Sequence, residues 1–166
     1  GVRVIRLGTI FEKMSYDNAE LLSVYAHAYA ATGTALYRAT AEGIVEWCLE
    51  VLAEFRTPVT IITKSHLVTR DIDVIASMAQ DRTAHVFLSI TTLDDDLARV
   101  MEPRASRPGL RLEAVRKLRE AGIPVGVMVA PIIPALTDHE VPAILEAAAA
   151  AGAMTAGRNV VRLPHG

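Results

Sequence analysis

Cysteine is almost missing from this sequence. Cys48 is the only one in 166 residues, which excludes an internal disulfide and points to a reducing compartment. Aromatic residues are also scarce, at 5%, so no platform for stacking nucleobases is visible. Neither sign of charge dominates: 17 Lys and Arg stand against 19 Asp and Glu, which leaves no electrostatic footprint for nucleic acid. Although 51% of the residues are hydrophobic, no apolar run is long enough to span a bilayer, and no charged-then-apolar signal segment opens the chain. The expectation is a cytoplasmic protein with no membrane partner. Gly8, Gly33 and Gly43 form no phosphate-binding pattern, and there is no G-x-S-x-G elbow. His27, His66, His85, His139 and His165 are scattered without metal-ligand spacing, so no metal site is expected from them. The first residue is Gly1 rather than methionine, which implies a start that is processed, tagged or cut from something longer.

What the chain does have is an alternation of β-branched runs and helical periods, organised around residues 121–140, AGIPVGVMVAPIIPALTDHE. Residues 124–133 are a long Val- and Ile-rich run, the pattern of a strand covered by helices on both faces. Pro131 and Pro134 cannot donate to a ladder and end it. Thr137 with Glu140 three residues on has capping-box spacing for the next helix. Strand, proline-marked loop and helix make one β-to-α step, the place where parallel α/β folds bind ligands.

The rest follows the same alternation. Residues 2–7 alternate as a short strand would. Asp17 and Glu20 have cap spacing for a helix over 18–30, residues 31–37 read as a loop or short strand, and an amphipathic helix follows with Ile44, Trp47, Cys48, Val51, Leu52 and Phe55 on one stripe. Strands are predicted over 58–63, 85–91 and 159–163, and helices over 70–80, 94–101, 109–121 and 141–151. No linker or repeat divides residues 1–166, so one domain is expected. Parallel strands joined by helices close into a (β/α) barrel, and too few units are present for the usual ~250-residue form. The predicted fold is α/β: a mostly parallel, partial barrel.

Polar groups collect at the carboxyl ends of the predicted strands: Lys64 and Ser65, Ser89 and Thr91, and the corner from Ala130 to Pro134. Each has a plainer reading. A lysine past a strand is by default solvated, and a serine in an apolar strand most often bonds backbone. Arg111 sits on a charged helix and reads as exposed, while Glu102, Arg104 and Arg107 read as a mixed-charge surface loop. Cys48 reads as a small core residue.

Three strings carry a resemblance: TPVTIITKSHLVTRDID, then FLSITTLDDDLARVMEPRASRPGLRLEAVRKLREAGIPVGVMVAPIIPALTDHEVPAILEAAAAAGA, then VVRLPH. Together they resemble the radical S-adenosylmethionine (radical SAM) superfamily, in its spore-photoproduct-lyase-like branch, over residues 42–165. FEKMSYDNAELL and GTALYRATAEG extend the likeness more weakly, the latter without the family's aspartate before the tyrosine. The resemblance implies that Lys64, the lysine of the TKS motif, contacts bound S-adenosylmethionine. It carries the same cofactor role to Ser89, Arg111, Thr34 and, in the VAPII corner against the adenine, Pro131. The carboxylate and ammonium of a methionine moiety need a cation and hydroxyl or carbonyl partners, which Lys64 and Ser89 would supply.

The family also holds a [4Fe-4S] cluster on a C-x3-C-x2-C loop. This chain has Cys48 alone, so the expectation is a core lacking its first β-α unit, inactive by itself, from a parent lyase-like enzyme that cleaves S-adenosylmethionine to a 5′-deoxyadenosyl radical. Nucleic acid enters as a partner by resemblance only. Two other readings stay open: an aldolase-like barrel with a Schiff base on Lys64, and a cluster-less remnant that binds an adenosyl ligand or self-associates through an exposed sheet edge.

Overall fold

The computed structural model describes the backbone of residues 2–161 and the side chains of residues 17–161. The chain falls into two compact units, Gly1–Phe55 and Arg56–Gly166.

The first unit is a helical hairpin, α1 over Val2–Thr32 and α2 over Ala35–Glu54. The strand expected over residues 2–7 is therefore helix. Six alternating residues fit the i, i+3 spacing of a helix as well as they fit a strand, and no proline precedes Pro58 to break the run. The helix expected to start at residue 18 has no separate start, and the loop expected over 31–37 shrinks to Gly33 and Thr34. Gly33 takes φ +67° there, a left-handed turn that glycine makes without a Cβ clash. Tyr25 packs on Tyr37 across the hairpin at 6.1 Å between ring centres. Cys48 is half-buried, and burial pushes its thiol up from the usual range.

The second unit is built on four parallel strands in the order β1-β2-β3-β4: Val59–Thr63, Ala84–Ser89, Val125–Ile132 and Thr155–Val160. Each step to the next strand passes through helix: α3 (Ile72–Gln80), then α4 (Asp95–Met101) with α5 (Pro108–Glu120), then α6 (Val141–Ala150). This is the partial (β/α) barrel predicted from the sequence. Local chemistry sets the boundaries. Asp94 caps α4 by accepting from the amides of Asp96 (2.8 Å) and Leu97 (3.0 Å), and Pro108 opens α5 where its missing N–H costs nothing. The helix expected from residue 70 begins at Ile72, behind a 3-10 turn over His66–Asp71. The last strand begins at Thr155, four residues earlier than predicted, and residues 162 and 163 of that expectation lie outside the described residues.

The core lies between the sheet and one layer of helices. Val86 and Leu88 of the second strand, Ile90 just past its end, and Val125, Val127 and Val129 of the third meet Ile75 and Met78 of α3, Val115 and Leu118 of α5, and Ile144 of α6, all buried. Side chains alternate across a strand, so His85, Phe87 and Ser89 share the opposite face. The Phe87 ring lies against Gly126: a Cβ there would fall 2.7 Å from its Cδ1, so a larger residue would force the ring to move. This face opens toward β1, where Ile62 is 62% exposed. Among the described residues no helix is long and apolar enough to cross a membrane.

Candidate functional site at the carboxyl edge of the sheet

Because neighbouring strands run parallel and in register, their carboxyl ends share one edge. Thr63 pairs with Leu88, and Ser89 with Met128. Lys64 follows the first strand, Ser89 ends the second, and Pro131 lies near the end of the third, so the second unit brings three of the five predicted cofactor residues to one rim. Arg111 joins them from the first turn of α5. Thr34 stands in the other unit, at the N-cap of α2, its amide donating to Thr32 Oγ1 at 3.2 Å.

Arg111 departs most from its plain reading. It is 1% exposed, against the expectation that it faces water. Its guanidinium makes three hydrogen bonds, all to protein: Nε to the Ser106 carbonyl (2.6 Å), one terminal nitrogen to the Ser89 carbonyl (2.8 Å), the other to Glu102 Oε2 (2.5 Å). A guanidinium survives such burial because its fork finds an acceptor for each arm.

Glu102 is the hub. Its Oε1 accepts from Lys64 Nζ, and its Oε2 from Arg111. The Thr91 hydroxyl sits 2.8 Å from Oε1 and 3.0 Å from the Ala130 carbonyl, sharing one proton between them. The loop over residues 102–108 is thus no mixed-charge surface feature at Glu102, whose side chain is 9% exposed. Arg107 does keep a surface pair, 3.9 Å from Asp95. Burial works against ionisation of Glu102, but hydrogen bonds from Lys64, Arg111 and Thr91 outweigh it and hold the carboxyl below the ordinary value of 4.5. Two cations and one carboxylate leave this cluster with one surplus positive charge, and Lys64, 38% exposed in its side chain, is its solvent-facing end.

Neighbouring loops are tied to the same rim. Ser106 Oγ receives the His66 amide at 2.8 Å and lies 2.8 Å from His66 Nδ1, while the Ser106 amide donates to the Lys64 carbonyl at 3.2 Å. On the other flank Glu140 and Thr137 do not form the expected capping box. Thr137 is fully buried and its hydroxyl accepts from the Ile133 amide at 2.9 Å. Glu140 instead accepts from the Thr92 hydroxyl (2.5 Å) and the Leu93 amide (2.7 Å), latching the loop after the second strand. Glu140→Ala is expected to cost about 1–3 kcal/mol by leaving a part-buried donor unpaired, and hydrogen exchange at the Leu93 amide should lose protection ahead of the core strands.

The rim fits one end of the implied cofactor: a partly exposed ammonium with surplus charge suits a carboxylate, and half-buried Ala130, Pro131 and Ile133 of the VAPII corner stand at the same edge of the sheet, two strands along. The cluster half finds no home here. Cys48 is the only thiolate source and sits in α2, and among the described residues no group of three His, Cys, Asp or Glu could hold a metal.

A family model described as the radical SAM superfamily matches residues 18–148. An uncharacterized protein of Acidianus two-tailed virus is 46% identical over 74 residues, 45% of this chain and 24% of the viral protein. Uncharacterized proteins of Mycobacterium tuberculosis strain H37Rv (39% over 104 residues, 61% of this chain and 31% of the relative) and Methanocaldococcus jannaschii (34% over 85 residues, 51% and 32%) are similar too. The chain therefore spans about a quarter to a third of the length of these curated relatives. No solved structure matches it.

Proposed function

The chain belongs to the radical SAM superfamily, and from that premise we propose that its second unit binds the methionine end of S-adenosylmethionine at the carboxyl rim of the sheet. Lys64 takes the carboxylate, Ser89 and Pro131 line the approach, and Arg111 fixes the end of the second strand through the Ser89 carbonyl. The observation that carries this reading is the surplus positive charge of the Lys64, Glu102 and Arg111 cluster, presented to solvent through Lys64 alone. A [4Fe-4S] cluster, for which the described residues offer no ligands, would supply the radical chemistry for a cofactor bound here. The thiolates for that cluster belong, in this proposal, to a parent protein of which these residues are one part, in keeping with the relatives' greater length. In the same proposal the parent is a member of the spore-photoproduct-lyase-like branch, a reading supported by the resemblance of the strings FLSI, EPRASRP and VAPII to that branch.

Calorimetric titration of the chain with S-adenosylmethionine tests the reading. Saturable binding is expected, weakened at least about tenfold in Lys64→Ala, the scale of one charge-assisted hydrogen bond. Absence of heat with the unsubstituted chain, at concentrations up to the millimolar range, would overturn it.

A further inference from the structure

Lys64 does not stand alone at the rim. A lysine on a four-carbon stem has several rotamers and no fixed direction, yet here one of its donors is committed to Glu102, and that carboxylate is itself immobilised. Arg111, 1% exposed, holds Oε2 at 2.5 Å, and Thr91 holds Oε1 at 2.8 Å. Glu102 is therefore a rigid post, anchored from a loop that is in turn stitched to Lys64 through the Ser106 amide. Two ammonium protons remain for a ligand, and their directions follow from the one that is spent.

We propose that Glu102 is a positioning residue for ligand recognition: it aims the Lys64 ammonium at a carboxylate and so gives the rim its preference for an amino-acid-type ligand. This rests on the cofactor reading above. Glu102 does not touch the ligand; it acts through Lys64. Glutamine in its place presents an acceptor on one side and an NH2 on the other, so it cannot accept from both Lys64 and Arg111. Buried Arg111 keeps the oxygen, and the mobile lysine is released.

The test compares S-adenosylmethionine with its decarboxylated form, in calorimetry on the whole chain. The unsubstituted protein should prefer the carboxylate-bearing ligand by about tenfold. Glu102→Gln raises the surplus charge of the cluster from one to two, which by charge alone would strengthen the preference; loss of aiming should instead erase it, and Glu102→Asp should restore part of it. A merely structural role would weaken both ligands together, and that result overturns the proposal, as does a Glu102→Gln protein that keeps the preference. Should the unsubstituted chain bind neither ligand, the cofactor reading fails by itself. The Lys64 ammonium is then followed directly by proton-nitrogen correlation at low temperature: a slowly exchanging signal lost in Glu102→Gln supports the aiming role, and a signal unchanged by the substitution overturns it. Thermal melts of both variants establish that each is folded.

Discussion

Glu102→Ala is expected to destabilise the second unit by about 3–5 kcal/mol, the usual result of stripping one partner from a buried ion pair, read as a fall in the urea midpoint at constant slope. The cost comes from what is left behind. Lys64 is partly exposed and can turn to water, but Arg111 would keep its charge at 1% exposure with one arm unpaired. Replacing both partners, Glu102→Leu with Arg111→Met, should recover most of the loss, because an apolar pair of similar volume strands no charge; a double variant as unstable as the single one would mean that the loop geometry, not the charge, sets the cost. Acid gives a second check. The folded carboxyl titrates below its ordinary value, so its contribution is complete above about pH 4.5 and is lost as pH falls through the depressed folded value. The stability gap between the unsubstituted chain and Glu102→Ala should therefore be widest near neutrality and narrow on acidification.

How much of this is legible in the sequence depends on the range of the interaction. The runs VTIIT, HVFLSI and VGVMVAPI name their strands because β-branched residues between turn signals leave little choice, and Asp94 names the start of α4 because a cap acts over three residues. Residues 2–7 mislead because a short alternation satisfies two periods. Glu140 misleads differently: its spacing from Thr137 is that of a capping box, but its carboxylate is spent on Thr92 and Leu93, 47 or 48 positions away, where no local rule reaches. The rim residues Lys64, Ser89 and Pro131 are legible as strand ends, since parallel topology alone brings such ends together. Glu102 is not. It lies nine residues before Arg111 and 38 after Lys64, in a proline-bounded loop that reads as surface, and only the fold shows that one carboxylate answers both cations. The one available signal was arithmetic: an arginine placed by helix period beside Ala114, Val115 and Leu118 needs an anion close by.

Leu88→Ala should cost about 2–5 kcal/mol, and Ile62→Ala within about 0.5 kcal/mol, although the two residues differ by little in size. Leu88 lies in the second strand at 0% exposure, on the face that α3 and α5 cover, so truncation removes buried contacts and leaves a cavity that packed helices cannot fill by relaxing. Ile62, in the neighbouring strand, lies beside Phe87 in the ladder, on the open face, and already shows 62% of its surface. The sheet is thus stabilised from one side. Its other side is held by the ladder, by Phe87 lying against Gly126 and stacked on His85 at 4.5 Å, and by the charge cluster at the rim. Urea titrations of the two variants separate these contributions. A loss at Ile62 as large as that at Leu88 would show that the open face is covered in solution, and it would move the stabilising core of this unit from the helix layer to the interior of the barrel.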